Sequence, residues 1–194
     1  AIKEIQTKLE ILDDEFQMRH RRNPIHHMQS RLKTIQSMLE KLKRKNYEVS
    51  INSAVKNLQD IAGIRVICSY VQDVYTIANL LVSQDDVHLV RMADYIREPK
   101  PNGYRSLHLI VEIPVFLSEG RILVPVEVQI RTIAMDFWAS LEHSLRYKAQ
   151  EYIPQHISDE LQRVATDIAS LDQRMQAIHD QVDELSDAHG GSAT

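Results

Sequence analysis

The residues best suited to chemistry lie in two segments in which polar and apolar residues alternate. From Leu123 to Arg131, a period of two places Glu127 and Gln129 on the face opposite a row of valine and isoleucine. In the segment that follows Gly103, the same period groups three polar residues, Tyr104, Ser106 and His108. If the two polar faces point the same way, a carboxylate, an amide, an imidazole and an aromatic ring share one concave surface. The alternative is an ordinary antiparallel sheet with one face in water.

Asp60 is a second candidate carboxylate, because it comes just before a strongly apolar segment. In open α/β sheets, residues at strand ends often contact the ligand. Together with Glu127 it could hold Mg²⁺, a cation that takes oxygen ligands and is often bound by one or two carboxylates and the phosphates of a substrate. Taken alone, Asp60 fits a capping or turn residue better than a metal ligand.

Cations that could bind phosphate recur on one predicted helix, from Arg31 to Arg44. Spacings of four, four and three residues put four polar side chains within an arc of roughly 80°. They are Lys33, Ser37, Lys41 and Arg44. The opposite side carries Leu32, Ile35 and Leu39. Such a face could cradle phosphates, but solvated charged faces of this kind are also ordinary on helices.

The loop from Pro99 to Arg105 carries further candidate groups. It contains two prolines, a glycine, two cations and an aromatic ring that could stack on a base. Loops of this composition also occur as plain connections.

The spacing of apolar residues predicts the elements that position these groups. Helical spacing predicts a first helix from Ile2 to Phe16, and helices again after Thr132 and from Ile157 to Val182. Between them we predict a buried strand, a short helix and a second strand, at Ile61 to Tyr70, Val74 to Leu81 and Val87 to Met92. The two alternating segments should pair as antiparallel strands across the turn Ser118-Glu119-Gly120. The result is an α/β (α+β) fold, a mixed β-sheet flanked by helices with long C-terminal helices.

The composition fits one domain, which we expect to span 1–186, with a helical region at 156–186 that forms oligomer contacts and a disordered tail at 187–194. The formal charge of −4 does not predict a nucleic-acid or membrane partner, so any anion site has to be local. The single cysteine, Cys68, excludes an intramolecular disulfide. Because no apolar run is long enough for a membrane span or a signal peptide, we expect a cytoplasmic protein.

Three segments closely resemble the synthetase domain of the RelA/SpoT family and occur in the same order. They are Asp60-Ile61-Ala62-Gly63-Ile64-Arg65, Pro99-Lys100-Pro101-Asn102-Gly103-Tyr104-Arg105-Ser106-Leu107-His108 and Val126-Glu127-Val128-Gln129-Ile130-Arg131-Thr132. The stretch from Ala134 to His143 narrows the resemblance to the small single-domain alarmone synthetases. It runs from about Arg31 to about Lys148, which we take as the catalytic core.

The resemblance implies a nucleotidyltransferase-like fold and an enzyme that moves pyrophosphate from ATP to the 3′-hydroxyl of GDP, GTP or GMP. By position, Asp60 matches a magnesium-binding aspartate, and Glu127 matches a glutamate that activates the hydroxyl and assists Mg²⁺. ATP contacts are implied for Arg31, Lys33, Ser37, Lys41, Arg44 and Arg65. Contacts to the guanine nucleotide are implied for Lys100, Asn102, Tyr104, Arg105, His108 and Gln129. The ring face of Tyr104, not its hydroxyl, is expected to stack on guanine.

The chain also differs from other members of the family. The bifunctional relatives carry a hydrolase domain and regulatory domains, and we expect neither hydrolysis nor ribosome-dependent activation here. Small synthetases that are activated by their product carry Phe-x-Thr before the ATP helix, whereas this chain has His27-Met28-Gln29, which argues against such activation. By resemblance we expect a homotetramer.

Two alternatives stay open at this point. A toxic small synthetase uses the same fold to pyrophosphorylate adenine nucleotides or the 3′ end of tRNA. A non-catalytic RNA-binding module would use the basic runs Arg19-His20-Arg21-Arg22 and Lys41 to Lys45. The pair Asp60 and Glu127 argues against that module, because a pure binder has no need of two acidic groups beside bound phosphate.

Overall fold

A five-stranded mixed sheet organises the fold, which a computed structural model describes over residues 1–149 and 153–190. The strands are β1 (Ile25–Leu32), β2 (Ala62–Cys68), β3 (His88–Asp94), β4 (Leu107–Leu117) and β5 (Gly120–Thr132). Their order across the sheet is β1-β2-β5-β4-β3. Strands β2 and β5 run parallel, and the other neighbours are antiparallel. The mixed sheet and the β4–β5 hairpin predicted from the sequence are therefore confirmed.

Helices flank this sheet, and the first and fourth of those in the described residues pack on one of its faces. They are α1 (Ile2–His20), α2 (Ile35–Arg44), α3 (Ile51–Asn57), α4 (Val71–Val82), α5 (Ile133–Lys148) and α6 (Gln155–Gly190). Ile5 and Leu9 of α1 and Ile77 of α4 are fully buried and pack with Val66 of β2 and Val128 of β5. This core explains the apolar parity of both strands. The opposite face of the sheet carries a cleft between β1, β2 and β5.

Side-chain caps fix where two helices begin beside that cleft. Thr34 Oγ1 caps α2 by accepting a hydrogen bond from Ser37 N (3.2 Å), and Thr132 Oγ1 caps α5 by accepting from Met135 N (3.1 Å). At the other end of β5, Gly120 closes the β4–β5 hairpin with a φ of 125°, a conformation that favours glycine. The register of β5, and with it the direction of each polar side chain, is set by these two ends.

The helix predicted from Arg31 to Arg44 is wrong at its N-terminus. Arg31 and Leu32 belong to β1, which pairs antiparallel with β2. This strand has no alternating pattern to predict it, since Ile25 is its one buried residue and Leu32 is 70% exposed. Backbone pairing along the edge of the sheet, not side-chain burial, forms it. Consequently Lys33 lies between β1 and α2 and is not on the helix that carries Lys41.

Other boundaries differ as well. Helix α3 was not predicted, because seven residues are too few for an apolar period to show, although Ser50 caps it by accepting from Ser53 N (3.1 Å). Strand β4 begins at Leu107, so Tyr104 belongs to the loop before it. At the C-terminus, α6 runs to Gly190, into the segment predicted as a tail, and 191–194 lie outside the described residues.

Helix α6 is 36 residues long and carries an apolar row at heptad spacing. The four residues of this row are all partly exposed: Ile157 (42%), Val164 (39%), Leu171 (50%) and Ile178 (52%). A seven-residue apolar repeat is the pattern of a helix that packs along another helix. Neither α6 nor any other helix in the described ranges has the continuous apolar character that crossing a membrane requires.

Candidate active site

The cleft forms where side chains from β1, β2 and β5 lie next to one another. Strand register aligns them in two rows, Gln29, Arg65 and Gln129 in one and Arg31, Gly63 and Glu127 in the other. These six residues line a cavity of about 240 Å³. The first row continues onto β4, where His108 pairs with Gln129. Because Gly63 has no side chain, the second row has a gap between the Arg31 side chain and the Glu127 carboxylate.

Glu127 is the carboxylate of this cleft, and its neighbours keep it ionised. Its Oε2 accepts a hydrogen bond from Gln129 Nε2 (3.0 Å), and its Oε1 lies 3.4 Å from His108 Nδ1. Burial raises the pKa of Glu127, but the interactions with His108 and Gln129 outweigh burial, so its pKa lies below the ordinary glutamate value. The carboxylate is therefore ionised at neutral pH and can accept a hydrogen bond or a proton.

Asp60 lies just before β2 and is held by two lysines. Its Oδ2 accepts hydrogen bonds from Lys33 Nζ and Lys41 Nζ, each at 2.6 Å. Burial raises the pKa of Asp60, but the two ammonium groups outweigh burial, and the pKa lies below the ordinary aspartate value. The two lysines that were predicted to share a helix face thus meet at Asp60, although Lys41 alone is helical.

The two carboxylates suit a hard cation. Asp60 Oδ1 is buried without a hydrogen-bond partner, and the charge of Asp60 is among the influences that raise the pKa of Glu127. Over the described ranges, no group of three or more His, Cys, Asp or Glu side chains could hold a metal by itself. Two carboxylates that leave most of a coordination shell open are typical of Mg²⁺ sites that substrate phosphates complete.

Tyr104 adjoins the first row through its hydroxyl. The hydroxyl oxygen lies 2.8 Å from His108 Nε2 and accepts a hydrogen bond from Arg131 Nη2, also at 2.8 Å. Lys100 Nζ lies over the rings of Tyr104 and Tyr95, 4.7 Å and 4.6 Å from their centroids. The loop therefore presents an aromatic ring and a cation beside the polar end of the sheet.

Two residues outside the predicted set complete the site. Arg131 is nearly fully buried and donates to Gln129 Oε1 (3.0 Å) and to Asp136 Oδ1 (3.1 Å). Asp136, in the first turn of α5, also lies 3.4 Å from Arg65 Nη1. The period of two places Arg131 on the same face as Gln129, so a sequence signal for it exists. No strand pattern points to Asp136, because it reaches the site from a helix.

Arg105 does not join the other predicted residues. Its Nη1 donates to Gly103 O (3.4 Å), and its side chain lines a crevice with Met135 and Trp138 of α5. In an extended segment, neighbouring side chains point to opposite sides. The direction of Arg105 is therefore the one expected of a residue adjacent to Tyr104.

Three further predicted residues do not line the cleft. Asn102 Oδ1 accepts a hydrogen bond from Tyr104 N (3.2 Å), and its Nδ2 donates to Glu142 Oε1 (3.1 Å). Ser37 takes part in the cap of α2, and Arg44 is exposed in the last turn of the same helix. Both residues belong to α2 and lie outside the set of side chains that lines the cleft.

Gly103 determines where the loop of Tyr104 rests. Its φ is 90°, and a Cβ built there would lie 2.5 Å from the Cβ of Ala165 on α6, whereas a Cβ at Gly120 would meet nothing within 4 Å. We expect Gly103→Ala to lower the free energy of unfolding about 1–3 kcal/mol more than Gly120→Ala, because both strain a positive φ but only the first overpacks a rigid contact. Urea denaturation measures both variants. Adding Ala165→Gly should recover most of the difference, and equal losses at the two glycines would contradict the contact.

Comparison with known proteins gives consistent matches. Residues 30–152 match the family model described as a region found in RelA / SpoT proteins. GTP pyrophosphokinase YwaC from Bacillus subtilis (strain 168) is 45% identical over 183 residues, which make up 94% of this chain and 87% of the relative.

Solved structures match over nearly the whole fold. The crystal structure of small alarmone synthetase 1 from Bacillus subtilis bound to its product pppGpp has a TM-score of 0.86 and 37% identity, covering 94% of this chain and 92% of that one. The same synthetase bound to AMPCPP has a TM-score of 0.80 and 35% identity, covering 95% and 92%. The match therefore extends beyond the family region to α1 and α6.

Proposed function

The chain belongs to the RelA/SpoT family, and we propose that it is a small alarmone synthetase, which transfers pyrophosphate from ATP to the 3′-hydroxyl of GDP or GTP and releases AMP. The observation that carries the proposal is the position of Glu127, which shares one cleft with Arg31 and lies beside His108, the partner of the Tyr104 hydroxyl. The charge of the lysine-held Asp60 also acts on Glu127. We propose that the enzyme acts in the cytoplasm, where both nucleotides are present.

The donor side of the cleft suits a triphosphate. Arg31 and Arg65 line it, and Lys33 and Lys41 stand beside it at Asp60. When ATP enters, the two lysines can turn from Asp60 Oδ2 to phosphate oxygens, because an ammonium is a point charge on a flexible stem. This exchange leaves Asp60 free to bind a cation. Ser37 and Arg44 complete the proposed ATP site along α2. Small alarmone synthetase 1 was crystallised with AMPCPP, an analogue of ATP, which supports ATP as the donor.

The acceptor side suits a guanine nucleotide, in agreement with the pppGpp complex of the same synthetase. Tyr104 offers its ring to guanine. In this structure Lys100 lies over that ring, so stacking on this face requires Lys100 to move aside, toward the acceptor phosphates. The remaining contacts are assigned to Asn102, His108 and Gln129. Arg105, which faces α5, is not part of the proposed site.

Glu127 acts as the general base in this proposal. Its carboxylate takes the proton of the 3′-hydroxyl while the 3′-oxygen attacks the β-phosphorus of ATP. The bond from that phosphorus to the oxygen bridging the α- and β-phosphates breaks, and AMP leaves with that oxygen. A positioned base contributes ~10²–10⁴-fold. Lys33, Lys41 and Arg31 stabilise the charge that the phosphate oxygens carry in the transition state.

Asp60 and Glu127 are the residues that would hold Mg²⁺ in this site. Their fit rests on the unpartnered Asp60 Oδ1 and on the mutual repulsion of the two carboxylates. When bound, the ion would neutralise charge on the transferred phosphates. The lysines bound to Asp60 oppose metal binding to the free enzyme, so the ion is expected to arrive together with ATP.

An acceptor series tests the proposal directly. The protein is incubated with ATP labelled at the γ-phosphate, Mg²⁺ and, in separate reactions, GMP, GDP, GTP, ATP or deacylated tRNA. We expect label on GDP or GTP and an equal amount of AMP. Label on an adenine nucleotide or on the 3′ end of tRNA would identify the toxic type of synthetase. No transfer to any acceptor by folded protein would contradict enzymatic activity.

We also propose that α6 joins copies of this chain into a homotetramer. The partly exposed heptad row, Ile157, Val164, Leu171 and Ile178, is the basis of this proposal. An adjacent side of α6 already packs within the chain, since Ala165 and Asp172 are buried there. The row therefore remains available for a second copy.

Charge in the heptad row should dissociate the assembly. We expect Leu171→Glu to yield a smaller species than wild type in light scattering at micromolar concentration, because a carboxylate would be buried without a partner in the contact. Gln173→Glu introduces the same charge at an exposed position of α6 outside the row and should leave the assembly unchanged. A monomeric wild type would contradict the proposal.

A further inference from the structure

The acceptor loop, Pro99 to Arg105, is anchored on helices as well as on the sheet, which the hydroxyl of Tyr104 reaches at His108 and Arg131. Asn102 Nδ2 donates a hydrogen bond to Glu142 Oε1 of α5 (3.1 Å), and Asn102 Oδ1 accepts one from Tyr104 N (3.2 Å). One amide group thus connects α5 to the backbone of Tyr104. The adjacent Gly103 rests against α6, so the loop is held from two sides.

Glu142 is the buried end of this connection. Glu142 is 8% exposed. The same Oε1 atom also accepts a hydrogen bond from Arg146 Nε, one turn further along α5. A glutamate is almost never buried to this degree unless it is paired. Arg146 alone could pair the charge of Glu142, so charge pairing does not require the hydrogen bond to Asn102. That second bond links the carboxylate to the loop.

We propose that Glu142 is a positioning residue for the acceptor nucleotide. It holds Asn102, Asn102 holds the backbone of Tyr104, and the ring is thereby oriented before the nucleotide arrives. Preorganisation of this kind improves affinity, because the ordering cost is met during folding. The inference rests on the proposed function, since it assigns this loop to a guanine nucleotide. The partners of Glu142 are Asn102 and Arg146 and not the carboxylates Asp60 and Glu127, so its effect should fall on acceptor binding.

The test compares two replacements of Glu142 in the full chain. Glu142→Ala is expected to weaken GDP binding about tenfold in calorimetry without ATP, the order that one hydrogen bond to a charged group corresponds to. The KM for GDP should rise equally, while kcat and the KM for ATP stay within about twofold. Glu142→Gln keeps an acceptor oxygen for Asn102 and should bind GDP within about threefold of wild type. Glu160→Ala, at an exposed glutamate of α6, is the matched control.

Hydrogen exchange gives a readout that needs no nucleotide. Because Tyr104 N–H donates to Asn102, its exchange measured by NMR should accelerate about tenfold in Glu142→Ala and remain near wild type in Glu142→Gln. Asn102→Ala breaks the same bond from the loop, so the double variant should bind GDP no more weakly than Asn102→Ala alone.

The possible outcomes separate this inference from the proposed function. Normal GDP affinity of folded Glu142→Ala, or a loss of kcat with unchanged GDP affinity, would overturn the positioning role. Failure of the wild type to bind GDP would overturn the proposed function, while the exchange of the Tyr104 amide still tests the connection. Should Glu142→Ala not fold, Asn102→Ala and Glu142→Gln take its place, and equal GDP binding by both would overturn the proposal.

Discussion

Glu127→Gln is expected to slow AMP release about a hundredfold or more, and Asp60→Asn is expected to do the same. The first change removes the proton acceptor, whose contribution is typically ~10²–10⁴-fold, while the amide keeps the size of the side chain. The second removes one of the two carboxylates proposed to hold Mg²⁺ and leaves Lys33 and Lys41 without their common partner. Single-turnover assays with labelled ATP and GTP measure both, and circular dichroism checks the fold.

A surface pair supplies the matched control for Asp60. Asp86 is likewise held by a lysine, Lys8, at 2.7 Å, but on the side of the sheet that α1 covers. Asp86→Asn should therefore leave turnover unchanged. If folded Asp60→Asn or Glu127→Gln retains more than about a tenth of wild-type turnover, the residue concerned has no place in the mechanism.

The parts of the fold that the sequence predicts are those in which side-chain burial determines structure. Strand β5 alternates because Val126 and Val128 face a core while Glu127 faces the cleft, and the hairpin follows from Gly120. Strand β1 could not be predicted on these grounds, because its residues are mostly exposed and its pairing with β2 is a property of the backbone. The apolar residues that favoured a longer helix include Leu32, which the structure leaves 70% exposed.

The candidate site divides in the same way. Residues that share one strand, such as Glu127, Gln129 and Arg131, are grouped by the period of two. Contacts between elements that are distant in sequence have no local signal. Asp136 reaches Arg131 from the first turn of α5, and Glu142 reaches Asn102 across 40 residues. These contacts depend on how α5 packs beside the sheet, which no local pattern encodes.

The hydroxyl of Tyr104 changes one expectation about the acceptor pocket. Sequence resemblance assigns the contact to the ring face alone, which predicts that Tyr104→Phe is nearly normal. In the structure the hydroxyl joins His108 and Arg131, each at 2.8 Å. Since a typical hydrogen bond contributes about 0.5–1.5 kcal/mol, Tyr104→Phe should weaken the binding of GDP or GTP by a few-fold. The affinity of Tyr104→Phe for GDP or GTP should therefore lie between those of wild type and Tyr104→Ala. If the Phe variant binds as weakly as the Ala variant, the hydroxyl and not the ring makes the main contact.

Tyr104→Ala and Arg44→Ala should produce opposite defects. Loss of a base–aromatic stack costs roughly 1–3 kcal/mol, so Tyr104→Ala should raise the KM for GDP or GTP about 5- to 150-fold and leave the KM for ATP nearly unchanged. Arg44 is exposed in the last turn of α2, so Arg44→Ala removes charge without removing core packing. It should weaken ATP binding and leave binding of the acceptor nucleotide nearly unchanged. Steady-state kinetics with each nucleotide varied in turn separate the two effects. If Tyr104→Ala weakens ATP as much as GTP, or weakens neither, the stacking role is wrong, and the acceptors of the toxic synthetases become the better explanation, because they do not require a guanine on this ring.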